Sequence, residues 1–221
     1  MSIMPKNIDE SLQNIKNVEK FSPDFIEIRL DKIKIFDFKK IVASTNTPLI
    51  ATTRAINEGG FFAGNDQERI KILLEAAKEG FNYIDLELST KNLVELVKRF
   101  HYLNSKVIIS FHDYKKTPSI KIINEIFNKE ISKGADICKI ITTARKFEDN
   151  LKLLNFICCN YKKARIVCFA MGESGRISRF ISPILGAHFT FASMEEGEET
   201  APGQLEINRM RELYERLGLN S

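Results

Sequence analysis

The chain holds 221 residues, 43% of them apolar and 28% charged, the balance of an ordinary soluble globular protein with enough length to bury a sizeable core. Its net charge of +4 comes from 33 basic and 29 acidic residues mixed along the sequence, with no basic block or stripe, which argues against a nucleic-acid partner. No apolar run is long enough to span a bilayer and no signal-peptide pattern stands at the start, so the expectation is a cytoplasmic protein without a membrane role.

The predicted elements alternate from one end to the other. The opening "MSIM" reads as a short first strand before a helix over 9–20. Strands follow at "FIEIRL" (25–30) and "PLIATT" (48–53), and then a helix over 66–80, "DQERIKILLEAAKEG", ends on Gly80. After the strands "NYIDLEL" (82–88) and "KVIISF" (106–111), a helix over 117–134 has Pro118 near its first turn and Gly134 past its end. The strands "DICKII" (136–141), "RIVCFA" (165–170) and "HFTFA" (188–192) complete the series. About eight βα units are what a closed parallel barrel needs, so the expected fold is α/β, a single (β/α)8 TIM barrel over 1–221. A doubly wound open sheet alternates in the same way, but it normally carries a glycine-rich nucleotide turn after its first strand, and none is present. Cys138, Cys158, Cys159 and Cys168 form no CxxC pair and no metal-ligand spacing, which fits a reducing compartment and a protein without a metal.

Strand parity assigns faces, because successive side chains point to opposite sides. Ile26, Ile28 and Leu30 share one face, and Glu27, Arg29 and Asp31 the other. Ile84, Leu86 and Leu88 oppose Asp85 and Glu87; Val107, Ile109 and Phe111 oppose Ser110 and His112. A wall of helices would take the aliphatic faces and leave several ionisable groups in one enclosed interior, the composition of a site rather than of a plain core.

Candidate chemistry gathers near the strand ends, where barrels of this kind keep their active sites: Glu27, Arg29, Arg54, Glu58, His112, Lys139 and Arg179. Lys139 stands out because Ile137, Cys138, Ile140 and Ile141 flank it. It reads either as a snorkelling or salt-bridged lysine or as an amine held neutral by desolvation and nearby cations, ready to attack a carbonyl. His112, at a strand end, is by itself as consistent with a structural role as with a catalytic one; beside an amine nucleophile its near-neutral pKa suits a general acid/base. Glu58 reads as a solvated loop carboxylate or as the group that orients that imidazole. Arg54 and Arg179 read as surface charges when taken singly, or as guanidinium forks for a carboxylate in an enclosed site. The polar, glycine-containing stretches 57–66 and 193–204 read as solvent loops or as lids after the third and eighth strands.

The stretches "EIRLD" (27–31), "TTRAINEGG" (52–60), "YIDLEL" (83–88), "SFHDYKKTP" (110–118), "GADICKI" (134–140), "MGESGRISR" (171–179) and "TAPGQ" (200–204) occur in an order and spacing that resembles type I 3-dehydroquinate dehydratase, the third enzyme of the shikimate pathway, over essentially the whole chain. The resemblance implies a (β/α)8 barrel that dehydrates 3-dehydroquinate to 3-dehydroshikimate through an imine, with no metal or organic cofactor. It implies Lys139 as the Schiff-base lysine, His112 as general acid/base and Glu58 as the carboxylate paired with that histidine. Arg179 matches the arginine that holds the substrate carboxylate. Glu27, Arg29, Arg54 and Gln204 match pocket-lining positions, and Phe169 and Met171 match apolar wall positions. Two departures are visible: Thr200 stands where the family usually has serine, and the first strand is short, placing the family's pocket serine at Ser2. Members of the family are often dimers, so a homodimer is a possible assembly.

Two other readings use the same residues. A class I aldolase is also a barrel with a Schiff-base lysine, although no glycine-rich phosphate cradle follows the seventh strand here. A non-catalytic barrel would bind an anionic metabolite with the same arginines and needs no nucleophile.

Overall fold

The computed structural model describes residues 1–195, 197 and 199–219, with the Asn57 side chain left out. Glu196 and Glu198 of the expected loop 193–204, and the Asn57 side chain of the expected loop 57–66, therefore lie outside the described residues. The chain divides into two compact units, Met1–Ile108 and Ile109–Ser221.

In the first unit the strands β1 (Ser2–Ile3), β2 (Ile26–Arg29), β3 (Leu49–Thr52) and β4 (Tyr83–Glu87) pair in chain order, all parallel. Helices α1 (Ile8–Glu19), α2 (Phe38–Ala43) and α3 (Asp66–Lys78) lie between them in sequence, and α4 (Leu93–Tyr102) follows β4. The expected parity holds: Ile26, Ile28, Leu30, Ile84 and Leu86 are fully buried, as are Ile15, Val18, Ile41 and Leu73 from the helices. Each such side chain contributes roughly 1.5–3 kcal/mol by leaving water. The opposite face is buried as well, with Glu27, Arg29, Asp31, Arg54, Asp85 and Glu87 all at 9% exposure or less. A buried charged face has to be satisfied internally, so its pairing decides its geometry. Helix α3 starts on a full capping box, Asn65 with Glu68, and that fixed start sets which of its side chains turn inward.

Strand β5 (Lys106–His112) contains the boundary between the units. In the second unit β6 (Ile137–Thr143) and β7 (Arg165–Met171) are parallel over seven residues each, Ile137 opposite Arg165 and Thr143 opposite Met171. Helices α5 (Ile120–Ser132), α6 (Phe147–Asn160) and α7 (Arg176–Ile181) alternate with the strands. A short parallel pair, β8 (Ala192–Ser193) with β9 (Leu205–Glu206), precedes α8 (Ile207–Arg216).

Two expectations change here. The strand expected over 188–192 is reduced to Ala192–Ser193, and it pairs with β9. The reason lies in competing bonds: the His188 amide donates to the Ile166 carbonyl at 2.7 Å, but the Thr190 hydroxyl donates to the Arg179 carbonyl at 3.0 Å and ties the chain to α7. The helix expected over 117–134 is shorter, Ile120–Ser132, because Ser119 caps it and Pro118 stays just ahead of that cap.

Candidate active site

In the first unit, the polar ends of β2, β3 and β4 build a network of oriented charges. Glu27 accepts from the Ser2 hydroxyl at 2.5 Å and from the Thr52 hydroxyl at 2.9 Å, one bond to each carboxylate oxygen. The short first strand thus reaches far enough to place Ser2, 4% exposed, against that carboxylate. Arg29 donates to Asp31 in a fork, Nε to Oδ1 at 2.9 Å and Nη2 to Oδ2 at 2.6 Å, and Asp31 also accepts the Phe61 amide at 3.1 Å. Arg54, which read singly as a surface charge, is 3% exposed. Its Nη2 lies 2.6 Å from Asp85 and its Nη1 3.1 Å from Glu87. The loop after β3 turns back onto Arg54 because Gly60 lets it: a Cβ there would lie 2.0 Å from the Arg54 carbonyl oxygen. That close approach delivers Glu58, on the turn Ile56–Glu58, as a half-buried carboxylate accepting from the Ser89 hydroxyl at 2.9 Å. Burial pushes the Glu58 carboxyl above its ordinary value, and the Ser89 bond opposes the rise.

The second unit carries the nucleophile and a site for an anion. Lys139 is 5% exposed on β6, between Cys138 and Ile140, both fully buried, and its Nζ stands 4.6 Å from the centre of the Phe191 ring. Phe191 in turn meets Phe169 edge-on at 6.2 Å, and the Arg179 guanidinium lies 4.1 Å over the Phe169 ring. Lys139 and Arg179 are therefore joined through one aromatic pair. Arg179 is 1% exposed, and burial lowers its pKa from 12.5 to about 9. A guanidinium in that range is still fully charged near neutrality. Its Nη groups make only long contacts, 3.5 Å to the Phe191 carbonyl and 3.4 Å to the Pro202 carbonyl, and its Nε has no hydrogen-bond partner among the described residues.

Thr200 and Gln204 lie on the segment that approaches this arginine. Gly172 donates its amide to the Pro202 carbonyl at 3.2 Å, and Gly203, at φ +78°, sits where a Cβ would lie 2.5 Å from the Gly172 carbonyl oxygen. Gln204, 4% exposed, accepts the Thr200 amide at 2.8 Å and donates to the Thr200 hydroxyl at 3.0 Å. Phe169 and Met171, 2% and 3% exposed, close the apolar side at the end of β7. His112, at the end of β5, is half-buried and stacks on Tyr114 at 5.9 Å and 15°.

Two further residues belong to this arrangement, Phe191 and Arg69. Phe191 stood in a run read as a plain strand. Arg69, on α3, is 3% exposed and reaches Glu87, but an arginine three residues after Asp66 reads as half of a surface pair. The signal was its phase: Arg69 shares the inward stripe of Leu73, Ala76 and Ala77.

Comparison with known proteins bears on the whole chain. The model of the family described as Type I 3-dehydroquinase matches residues 1–221. A 3-dehydroquinate dehydratase of Methanococcus maripaludis (strain C7 / ATCC BAA-1331) is 37% identical over 218 residues, 98% of each chain. The crystal structure of 3-dehydroquinate dehydratase from Geobacillus kaustophilus HTA426 covers 100% of this chain and 90% of its own, with a TM-score of 0.89 at 24% identity. The type I enzyme from Clostridium difficile, solved with covalently modified comenic acid, has a TM-score of 0.86 at 27% identity, over 98% of this chain and 90% of its own. The fold is the expected α/β type, a (β/α)8 barrel. No helix among the described residues is long and apolar enough to cross a membrane. With its motifs, its fold and its full-length relatives in agreement, the chain belongs to the type I 3-dehydroquinase family.

Proposed function

We propose that Lys139 is the Schiff-base nucleophile of this chain, with His112 as general acid/base and Glu58 as the carboxylate that orients it. The activity is that of a 3-dehydroquinate dehydratase, a hydro-lyase of the shikimate pathway acting on a small-molecule substrate. The observation that carries the site assignment is the pairing of a buried amine with a buried, under-satisfied guanidinium across the Phe191–Phe169 pair. A substrate with a ketone and a carboxylate suits those two groups: the ketone meets Lys139 and the carboxylate meets Arg179.

Each step follows from the groups in hand. The Lys139 amine adds to the ketone and water leaves, giving an iminium. The proton on the adjacent carbon is now acidic, because the electron pair it leaves behind flows to the iminium nitrogen. His112 takes that proton. The resulting enamine pushes its electrons back, and the β-hydroxyl leaves as water with a proton returned by His112. A second water hydrolyses the conjugated imine and frees Lys139, so the net change is loss of one water. Ser2, Glu27, Arg29, Arg54, Phe169, Met171, Thr200 and Gln204 line the substrate pocket in this reading. In the first unit the oriented Glu27 and Arg54 support this as polar handles, and in the second unit the buried Phe169 and Met171 support it as apolar positions.

We further infer a cytoplasmic homodimer. Exposed apolar side chains on α5 (Ile120, Ile122) and α6 (Phe147, Leu151) support it, and a light-scattering mass of twice 25.3 kDa is the expected result. The activity itself is tested by incubating the protein with 3-dehydroquinate and following ultraviolet absorbance. A growing conjugated-enone band is expected; no change, together with cleavage of an aldol substrate, would return the aldolase reading.

A further inference from the structure

Arg69 has no part in the mechanism above, yet it is an arginine in the inward stripe of a helix whose other charged side chains are all exposed. Its contacts show what it does there. Nη1 bonds one oxygen of Glu87, Nη2 reaches the Thr90 hydroxyl at 3.3 Å and Asp66 at 3.2 Å, and Nε reaches Asp66 at 3.3 Å. The other Glu87 oxygen lies 3.1 Å from Arg54, whose second nitrogen holds Asp85 at 2.6 Å. Asp66, Arg69, Glu87, Arg54 and Asp85 form a chain of alternating sign, and all but Asp66 have buried side chains. The four buried members carry two positive and two negative charges. Without Arg69 the balance of these buried members becomes one against two.

We propose that Arg69 is a positioning residue for the reaction: by gripping the far oxygen of Glu87 it fixes Arg54 and keeps the Glu58 carboxylate ionised. The second effect rests on the role given to Glu58 above. Ser89, which donates to Glu58 at 2.9 Å, is the chain neighbour of Thr90, which Arg69 reaches at 3.3 Å, so the turn after β4 ties the two groups together. The charged groups of this unit that bear on Glu58 include Glu87 from β4, Arg54 beyond β3 and Arg69 from α3. Glu87 raises the Glu58 pKa, and the two arginines lower it. Loss of Arg69 removes one of the two stabilising cations and also leaves Glu87 less neutralised, so both changes favour the protonated form.

The test reads Glu58 directly. Its titration is followed by carboxyl carbon NMR on ligand-free protein labelled at glutamate, the signal assigned by its loss in Glu58→Gln. Arg69→Met is expected to move the midpoint up by roughly half a pH unit or more. Glu87→Gln is expected to move it down, the double variant to return it toward the wild type, and Arg69→Lys to stay close to it. A merely structural role for Arg69 produces no such opposed shifts. An unmoved midpoint in folded Arg69→Met overturns the proposal; if that variant does not fold, an unmoved midpoint in Glu87→Gln does so. The pH profile of kcat separates this from the reading of Glu58. Activity that needs ionised Glu58 is lost as pH falls through its midpoint, so the acid limb follows the NMR shift. A midpoint that moves while the limb stays keeps the coupling and overturns the catalytic assignment of Glu58.

Discussion

Replacing Arg179 by methionine separates what the residue costs the fold from what it does for binding. In the folded state its pKa falls from 12.5 to about 9, with burial as the cause. A cation whose folded pKa is lowered costs stability at every pH below that value, and the cost fades as pH rises through it. At neutral pH the shift corresponds to a cost on the order of 5 kcal/mol, and local relaxation reduces it. Stacking on Phe169 offsets about 1–2 kcal/mol, and the two long carbonyl contacts add little. Methionine fills much of the same volume without a charge, so Arg179→Met is expected to stabilise the ligand-free protein by roughly 2–3 kcal/mol, a rise in Tm of about 4–12 °C. The gain shrinks above about pH 9. Binding moves the other way. With Arg179 in its proposed role, losing two charge-assisted bonds to the substrate carboxylate costs about 3–4 kcal/mol, roughly 10²–10³-fold in kcat/KM. Thermal melts at pH 7 and pH 10 and an ultraviolet turnover assay read both effects. A variant that melts several degrees lower and keeps its kcat/KM would mean that Arg179 serves the fold and not the substrate.

Three further predictions concern His112, Glu58 and the loop that carries Gly60. His112→Ala is expected to lose roughly 10²–10⁴-fold in rate while still forming the imine, so that a stalled adduct appears by intact mass without any reductant. Glu58→Gln should fall between this variant and the wild type, and it should flatten the acid limb of the pH profile, which lies above the ordinary 4.5 because burial raises the carboxyl. Near wild-type turnover in His112→Ala would move the proton shuttle elsewhere, with Glu27 the next residue to test. Gly60→Ala forces a Cβ to within 2.0 Å of the Arg54 carbonyl oxygen, and the displaced loop is expected to cost about 1–3 kcal/mol. An unchanged Tm together with unchanged kcat would mean that the loop is not held against Arg54.

Most of the framework was legible because it rests on short-range regularities. A strand repeats every two residues, so the split between Ile26, Ile28, Leu30 and Glu27, Arg29, Asp31 could be read directly, and the burial of both faces agrees with it. Lys139 was legible for the same reason: its aliphatic neighbours left it no path to solvent. What was not legible depends on partners distant in sequence. The expected strand at 188–192 is cut short by the Thr190 hydroxyl, whose partner lies eleven residues away on α7. The phase of Arg69 on its helix marks it as inward, but its partner Glu87 lies eighteen residues on and no local pattern announces it. Arg54 and Arg179 are equally ambiguous as isolated letters. One is buried by two carboxylates, the other by an aromatic ring and a turn that Gly172 and Gly203 bring together.

In the proposed mechanism Lys139 is buried so that it can form a covalent imine. Borohydride reduction in the presence of 3-dehydroquinate, followed by peptide mass analysis, tests it most directly. Substrate-dependent inactivation is expected, with one added mass, that of the reduced ligand, on the peptide carrying Lys139, and no adduct in Lys139→Ala. Labelling of a surface lysine instead, with Lys139→Ala still active, would contradict it.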